Sequence, residues 1–598
     1  MTERLVRIGG AAGFWGDSLE GAAQLVRHGA IDYLVFDYLA EITMSLLARI
    51  RARKPELGYV PDFIEAIAPL LAEIKTRGIR VVSNAGGVNP QAAVAALQAR
   101  ADAAGVSLKI ACVTGDDLMD RLDAARQRGL REMVTGEALP DRVMSANAYL
   151  GAQPIALALE RGADVVITGR CVDSAVTLGA LVHAFRWSWN DYDKLAQGSL
   201  AGHLLECSAQ ATGGLFTDWR NVPGWDDMGM PIAECRADGS FVITKPTGTG
   251  GLVCPLSVGE QMLYEIGDPA AYILPDVVCD FRAVTMTEDG PDRVRVAGAR
   301  GRPPTPDLKV SATWHDGFRM VGTVTIGGRD AAAKAQRLGE AILTRVQRLL
   351  GERGIGPFTE TSCEALGAEA TYGANARPDA ATAREVVLKI GARHPEQKAL
   401  EILAREIAPA ASSMAQGLTG FFAGRPGVQP VVRLFSFLWP RTAVSPRVHL
   451  AEEAFDVPFA AANSSAPPAT DAVAPSSIGI ADASVPLVAL AVGRSGDKGN
   501  AANIGVIARR PEYLPWLRAG LTPDAVKAFF AHSCVTRVDR YDVPGIHALN
   551  FVLHDALGGG GVASLRIDPQ GKAFAQMLMD LPVGVPHELA ERMGRANR

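Results

Sequence analysis

The chain has 598 residues, of which 48% are hydrophobic and 21% charged, and its formal net charge is −5 at pH 7. This length predicts about two to four domains of a soluble globular protein. The net negative charge and the lack of a Lys/Arg stripe argue against binding to nucleic acid, and eight scattered cysteines without a CxxC pair argue against a disulfide framework or a structural zinc site.

The start of the chain, Met1-Thr2-Glu3-Arg4-Leu5, has no apolar core of the kind found in secretory signals. No window approaches the roughly 18 uninterrupted apolar residues of a membrane span. We therefore expect a cytoplasmic protein with no membrane partner.

Short apolar runs alternate with stretches of helical spacing over the first part of the chain, and they lie at residues 5–8, 33–36, 79–83, 108–113, 143–146 and 164–168. Such alternation indicates right-handed βαβ units. The predicted fold class is α/β, with a doubly wound, mostly parallel sheet in a domain covering residues 1–215.

Further along, the pattern changes. Short strand-like runs separated by Gly, Pro and Asp, followed by stronger helical stretches, predict a mixed β region with helices over residues 216–458. Residues 459–484 are rich in Ala, Ser and Pro and predict a linker. Residues 485–598 alternate again and predict a small α+β, ferredoxin-like C-terminal domain.

Polar and glycine-rich clusters follow the six apolar runs. If the runs are parallel strands, all the clusters lie at the carboxyl edge of one sheet, where open α/β folds bind small molecules. The candidate substrate-binding residues at this edge are Gly10, Gly13, Asp17, Asp37, Asn84, Gly86, Asn147 and Arg170.

Each of these residues also has a structural interpretation. The loop with Gly10 and Gly13 either lets a ligand approach the backbone or forms a tight turn, and it matches the dinucleotide fingerprint only loosely. Asn84 suits recognition of a hydroxyl or carbonyl group, or it satisfies a local turn. Arg170 suits a carboxylate or phosphate, and Asp173 is either a catalytic base or a helix cap.

His203, Glu206 and Gln210 share one face if this segment is helical. A Glu beside a His predicts an acid/base pair, with Glu206 as the preferred base. The same two side chains could instead be metal ligands, for which no third ligand can be assigned, or a hydrogen-bonded pair of structural origin.

In the C-terminal part, residues 494–500 are predicted to form a polar loop after an apolar strand. Arg494 and Lys498 predict an anion-binding site there, oriented by Asp497 and Asn503. A run of four glycines at residues 558–561 predicts close approach to a ligand or to the body of the protein.

Several motifs occur in an order that resembles the acyclic terpene utilisation family of the AtuA type. They are the glycine-rich stretch 9–18, Asn-Ala-Gly-Gly-Val-Asn-Pro at 84–90, Ala-Asn-Ala-Tyr-Leu-Gly at 146–151, Thr-Gly-Arg-Cys-Val-Asp-Ser-Ala at 168–175 and Gly-Arg-Ser-Gly-Asp-Lys-Gly-Asn at 493–500. The last stretch resembles the family's small C-terminal domain. The resemblance implies a role in the breakdown of acyclic terpenoids, a route that runs on coenzyme A thioesters.

From these patterns we expect a lyase that adds or removes water, or cleaves a carbon–carbon bond, on an acyl-CoA or a branched organic acid. No metal or separate cofactor is evident, coenzyme A enters as part of the substrate, and the chain is expected to form a homo-oligomer. The alternative is a non-catalytic protein that binds a ligand or docks other enzymes of the same pathway.

Overall fold

The computed structural model describes residues 4–420, 424–459, 462 and 480–596. Most of the predicted linker therefore lies outside the described residues. The strands, in chain order, are β1 (Val6–Gly10), β2 (Tyr33–Phe36), β3 (Arg80–Ser83), β4 (Ile110–Thr114), β5 (Val143–Ala148), β6 (Val165–Thr168), β7 (Ile232–Cys235), β8 (Phe241–Thr244), β9 (Tyr272–Ile273), β10 (Val278–Asp280), β11 (Thr285–Glu288), β12 (Val294–Ala297), β13 (Arg300–Arg302), β14 (Asp307–Gly327), β15 (Glu360–Leu366), β16 (Glu385–His394), β17 (Leu418–Thr419), β18 (Val428–Pro440), β19 (Arg447–Leu450), β20 (Glu453–Asp456), β21 (Ala483–Pro486), β22 (Ala491–Lys498), β23 (Ala501–Ala508), β24 (Val538–Val543), β25 (Ala548–Leu553) and β26 (Pro582–Val585).

The helices pack on both faces of the sheets. In chain order they are α1 (Glu20–His28), α2 (Glu41–Arg53), α3 (Pro61–Ile67), α4 (Leu71–Arg77), α5 (Pro90–Ala103), α6 (Leu122–Gln127), α7 (Gln153–Glu160), α8 (Ala175–Phe185), α9 (Tyr192–Leu205), α10 (Pro255–Leu263), α11 (Ala331–Glu352), α12 (Gln397–Ile407), α13 (Ala410–Ser413), α14 (Leu514–Gly520), α15 (Pro523–Phe529), α16 (Phe574–Leu578) and α17 (His587–Ala596). Among the residues that the structure describes, no helix has the length and apolar character that a membrane crossing requires.

The largest sheet has eleven strands in the order β11-β12-β8-β7-β1-β2-β3-β6-β4-β19-β20. Only its centre, from β1 to β4, is parallel. On both sides the neighbouring strands pair antiparallel. The prediction of a doubly wound, mostly parallel sheet is therefore wrong for the sheet as a whole. Connections such as residues 236–240, between β7 and β8, are far shorter than the dozen or so residues of a parallel crossover.

The strand β5 was predicted to belong to the parallel sheet, and this prediction is wrong. It pairs antiparallel with the long strand β14, with Ala148 opposite Val310 and Ser145 opposite Thr313. The position beside β4 is already filled by β19. The second sheet contains β15, β16, β14 and β17 in that order, and β18 and β5 also pair with β14.

The C-terminal part forms a four-stranded antiparallel sheet in the order β22-β23-β25-β24. Residues 494–498, predicted as a loop, belong to β22. That strand pairs directly with β23, so that Lys498 lies opposite Ala501. The connection is the two-residue turn Gly499-Asn500, in which Gly499 has a φ of 66°, and Gly-Asn is a typical hairpin turn.

The glycine run 558–561 permits the close approach predicted for it, because other parts of the protein pack directly against its backbone. All four glycines have positive φ angles between 46° and 93°. A Cβ at Gly560 would lie 2.1 Å from the carbonyl oxygen of Gly499, and one at Gly561 would lie 2.9 Å from Ile42 in α2. The run therefore packs against the hairpin turn and the body of the protein.

Candidate active site

The carboxyl ends of β1, β2, β3 and β6 lie at one edge of the largest sheet because these strands are parallel. Gly10 is the last residue of β1, and Asp37, Asn84 and Arg170 lie in the segments that follow β2, β3 and β6 at this common edge. The end of α9 reaches the same place and brings His203 and Glu206. The edge predicted from the sequence therefore exists, although the sheet around it is mixed.

His203 and Glu206 form a buried hydrogen-bonded pair. His203 Nδ1 lies 2.8 Å from Glu206 Oε1, and His203 Nε2 lies 3.1 Å from the carbonyl oxygen of Met262. Because a carbonyl oxygen can only accept, Nε2 carries a proton. Burial raises the pKa of Glu206 and lowers that of His203. Both shifts favour the uncharged forms of the two side chains, in which the Glu206 carboxylic acid donates to Nδ1.

Arg170 and Asp173 form an ion pair beside this acid. Arg170 Nη1 donates to Asp173 Oδ1 at 2.9 Å and also to the carbonyl oxygen of Leu39. The guanidinium lies 4.2 Å from the centre of the Tyr149 ring. Arg170 is 3% exposed, whereas 34% of the Asp173 side chain is open to solvent.

Asp37 is a second buried acid, held by Asn84. Asn84 Nδ2 donates to Asp37 Oδ1, and Asn84 Oδ1 accepts from the backbone N–H of Tyr38 at 2.8 Å. Burial raises the pKa of Asp37; the charge of Asp173 raises it further, as does Glu206 when it is ionised, while Arg170 opposes them. Asp173 likewise raises the pKa of Glu206, and Arg170 lowers it. These groups therefore act on one another electrostatically, as members of one centre.

The glycines of the edge loops permit close packing. A Cβ at Gly10 would lie 2.6 Å from the carbonyl oxygen of Leu205, and one at Gly13 would lie 2.8 Å from that of Glu206. A Cβ at Gly86 would lie 2.5 Å from the carbonyl oxygen of Thr168. The first loop thus lets the end of α9 approach β1, which places Glu206 at the sheet edge. The role of these glycines in substrate binding stays a prediction.

Two further predicted residues support the loops. Asp17 Oδ2 accepts from the N–H of Gly13 at 2.9 Å, so this side chain closes its own loop. Asn147 Nδ2 donates to Asp116 Oδ2 at 2.8 Å, and the N–H of Arg170 donates to the same oxygen at 2.9 Å. Burial raises the pKa of Asp116 to about 6. The sequence analysis did not select Asp116, although it lies in a Thr-Gly-Asp cluster directly after β4.

The predicted residues of the C-terminal domain lie against the body of the protein. Arg494 Nη2 donates to Gln210 Oε1 at 2.6 Å, and its guanidinium lies 4.7 Å from the centre of the Tyr264 ring. Lys498 Nζ donates to the carbonyl oxygen of Glu265 at 3.1 Å. These residues lie against the segment that follows α10. Met262, whose carbonyl oxygen accepts from His203, is near the end of that helix.

Asp497 and Asn503 also lie at this contact. Asp497 Oδ1 is 3.8 Å from Lys572 Nζ. Asn503 Oδ1 accepts from the N–H of Glu265 at 2.8 Å, and its Nδ2 donates to the carbonyl oxygen of Ile266 at 3.0 Å. Glu265 and Lys572 were not predicted from the sequence, because their proximity depends on how the two parts of the chain dock.

The alternative of a metal centre finds no support in the side-chain geometry. Within residues 4–420, 424–459, 462 and 480–596, no group of three or more His, Cys, Asp or Glu side chains has an arrangement that could hold a metal ion. The acidic groups at the sheet edge are instead bonded to Asn84, Arg170 and His203.

Comparison with known families agrees with the resemblance seen in the sequence motifs. A family model described as acyclic terpene utilisation family protein AtuA matches residues 6–450, and a model described as AtuA ferredoxin-like domain matches residues 485–584. No curated protein and no solved structure matches the chain. The chain therefore belongs to the acyclic terpene utilisation family of AtuA proteins and carries the ferredoxin-like domain of that family.

Proposed function

We propose that this chain is an enzyme of acyclic terpenoid breakdown, which adds or removes water, or cleaves a carbon–carbon bond, on a branched acyl-CoA or organic acid. Membership of the acyclic terpene utilisation family supports the pathway. The observation that carries the reaction type is the buried pair of Glu206 and His203. A carboxylic acid whose pKa is raised by burial is suited to general acid catalysis.

The protonation state of Glu206 refines its proposed role. The sequence analysis favoured a base, but burial raises the pKa of this carboxyl group. In a hydration the carboxylic acid of Glu206 donates its proton to the carbon next to the thioester carbonyl. In the reverse dehydration the carboxylate takes that proton back from the same carbon, because the same group serves both directions.

The cations around the centre are proposed to hold the anionic part of the substrate. Arg170 lies beside the acids, and Arg494 and Lys498 approach from the C-terminal domain. Planar guanidinium groups suit carboxylate and phosphate groups. A coenzyme A thioester supplies such anionic groups, so this arrangement supports that substrate class over a neutral terpene alcohol.

The test is the substitution Glu206→Gln, assayed with a panel of branched unsaturated acyl-CoA thioesters and the corresponding acids. We expect a loss of about 10²-fold or more in kcat, because removal of a general acid typically has this effect. Glu260→Gln is the matched control, since Glu260 is also a buried acid with a raised pKa but faces Thr217. Far-ultraviolet circular dichroism checks that both variants fold.

Two results would contradict the proposal. Full activity of the Glu206→Gln protein would exclude this residue from catalysis. Failure of the wild-type protein to convert any member of the panel would exclude the proposed substrate classes.

A second candidate function is assembly with other enzymes of the pathway. It is favoured by three exposed apolar side chains beside the C-terminal domain, Leu215, Trp219 and Trp225, which are 66%, 48% and 62% exposed. Exposed apolar patches commonly mark protein interfaces. If assembly is the main role, the double substitution Trp219→Ser and Trp225→Ser abolishes a complex with a pathway enzyme, and Glu206→Gln leaves that complex intact.

A further inference from the structure

The turn formed by residues 265–267 is held by side chains of the C-terminal domain through its backbone. The N–H of Glu265 donates to Asn503, and the carbonyl oxygen of Glu265 accepts from Lys498 at 3.1 Å. Asn550 Nδ2 lies 2.9 Å from the carbonyl oxygen of Ile266 and 2.7 Å from that of Gly267. The backbone conformation of this turn is therefore tied to the docked domain.

The backbone of Glu265 is strained. Its φ is 59°, in the left-handed region that favours glycine. A side chain other than glycine persists there only when its surroundings impose the conformation, and such residues cluster at functional sites. The hydrogen bonds from Asn503 and Lys498 supply that constraint, so the C-terminal domain sets the direction of the Glu265 carboxyl group.

A short series of contacts connects this turn with the centre around Glu206. The ring of His203 lies 5.8 Å from that of Tyr272, measured between centroids. Lys498 Nζ lies 5.8 Å from the centre of the same Tyr272 ring. Met262, which accepts from His203 Nε2 at 3.1 Å, lies three residues before Glu265. Burial raises the pKa of Glu206, and the charges of Asp173 and Glu265 raise it further.

The surroundings of the Glu265 carboxyl group suit proton exchange with a ligand. Lys572 Nζ lies 3.9 Å from Glu265 Oε1 and is hydrogen-bonded to the hydroxyl group of Tyr264. The Glu265 side chain keeps 40% of its surface exposed, although protein surrounds its other sides. Burial raises the pKa of Glu265, and Lys572 opposes this rise, so the group titrates closer to neutrality than an ordinary glutamate.

We propose that Glu265 is a second catalytic acid–base group of the same centre as Glu206, and that Asn503 of the C-terminal domain is its positioning residue. This inference rests on the proposed function and narrows it to hydration of an α,β-unsaturated thioester, or the reverse dehydration. Two proton-transfer groups are what such a reaction needs, since water adds as a hydroxyl group at one carbon and a proton at the next.

The two groups divide the reaction as follows. The Glu265 carboxylate takes a proton from water while the water oxygen bonds to the β-carbon. The electron pair of the double bond moves to the α-carbon, which takes the proton of the Glu206 carboxylic acid. Proton exchange with solvent then returns Glu265 to the carboxylate and Glu206 to the acid.

The first test is catalytic and uses the full-length chain. With α,β-unsaturated acyl-CoA thioesters, we expect Glu265→Gln to lower kcat by about 10²-fold. Asn503→Ala should lower kcat while KM changes little. In the pH profile of kcat, it should move the pKa of Glu265 down toward that of an ordinary glutamate. An unchanged kcat in the Glu265→Gln protein would overturn the inference. If the Asn503→Ala protein fails to fold, Asn550→Ala is used in its place, because it removes the two hydrogen bonds to the carbonyl oxygens of Ile266 and Gly267 in the same turn.

The second test needs no turnover. Dicyclohexylcarbodiimide adds to protonated carboxyl groups, and peptide mass spectrometry locates the adduct. We expect modification of Glu265 in the wild type to persist to a higher pH than that of an ordinary glutamate, and to be at least threefold weaker at the same pH in the Asn503→Ala protein. Glu369 is the matched control, because its φ is also positive, at 55°, while its bonds to Arg377 lower its pKa. Glu369 should therefore stay unmodified.

The two tests separate the inference from the proposed function. If the wild type converts no thioester, the proposed function fails, and labelling alone decides whether Glu265 is a proton-exchanging group held by Asn503. Absence of modification at Glu265, or modification unaffected by Asn503→Ala, would overturn the inference even if the wild type is active.

Discussion

Glu260 should make the stability of this protein depend on pH. It lies in α10, at the contact with the C-terminal domain, where its Oε1 is 2.6 Å from Thr217 Oγ1. Thr217 Oγ1 is also 3.0 Å from the carbonyl oxygen of Gly493, yet its hydroxyl group has a single proton to donate. Thr217 donates to Glu260 Oε1 through its hydroxyl group and its backbone N–H, and both bonds favour the ionised carboxylate, whereas burial favours the protonated acid and outweighs them.

The magnitude follows from the shift in pKa. Burial raises the pKa of Glu260 from 4.5 to about 8, with Asp218 adding to the rise and Arg494 opposing it. Because the folded state retains a proton that the unfolded state releases, stability falls as pH rises between these two values and is constant above about 8. At about 1.36 kcal/mol per unit of pKa, the total penalty is on the order of 5 kcal/mol.

The substitution Glu260→Gln mimics the protonated acid at every pH. We expect the variant to match the wild type near pH 5 and to exceed its stability by up to about 5 kcal/mol at pH 9. With an unfolding entropy of about 2.1 cal/mol/K per residue, a chain of 598 residues that melts as one unit gains about 4 °C in Tm.

Thermal melting of both proteins at pH 5, 7 and 9 measures this difference. Other titrating groups are common to the two proteins and cancel when the Tm values are subtracted. A difference in Tm that stays constant across this pH range would refute the reasoning, because it would mean that Glu260 has the same pKa in the folded and unfolded states.

Two further predictions concern packing at the sheet edge and at the domain contact. Gly10→Ala should lower the free energy of unfolding, measured in urea, by about 1–3 kcal/mol and should lower kcat, because the new Cβ would displace the end of α9 that bears Glu206. Gly351→Ala is the control, since no atom lies within 4 Å of its added Cβ, and it should not destabilise the protein. Equal effects of the two substitutions would exclude the packing argument. Arg509 and Asp218 form a bidentate ion pair with N–O distances of 2.5 and 2.7 Å, and their side chains are about one quarter exposed. A double-mutant cycle of Arg509→Leu and Asp218→Asn should give a coupling free energy of about 1–2 kcal/mol. A value near zero would show that solvent screens the pair.

The sequence predicted the sheet edge well because the relevant signals are local. Buried apolar runs at β1, β2, β3 and β6 are followed by glycine-rich or polar clusters, and parallel pairing brings their ends together. The i, i+3 spacing of His203 and Glu206 likewise predicts their contact. These inferences need only the chain direction and the period of the element.

Pairing partners were harder to predict because they depend on competition between strands. The residues of β5 have no feature that distinguishes a place beside β4 from a place beside β14. The hairpin turn Gly499-Asn500 was a usable signal, and its recognition would have placed Lys498 in a strand. Glu265 had no such signal, since its neighbours Asn503 and Lys572 come from a part of the chain more than two hundred residues away.

The hydrogen bonds by which the C-terminal domain holds residues 265–267 have a consequence for biosynthesis. Asn503, Asn550 and Lys572 are translated long after the segment that they hold, so a nascent body leaves the ribosome with this turn unrestrained. Until the last part of the polypeptide has emerged and docked, the growing chain lacks the contacts that fix Glu265, and a truncated translation product would lack them permanently.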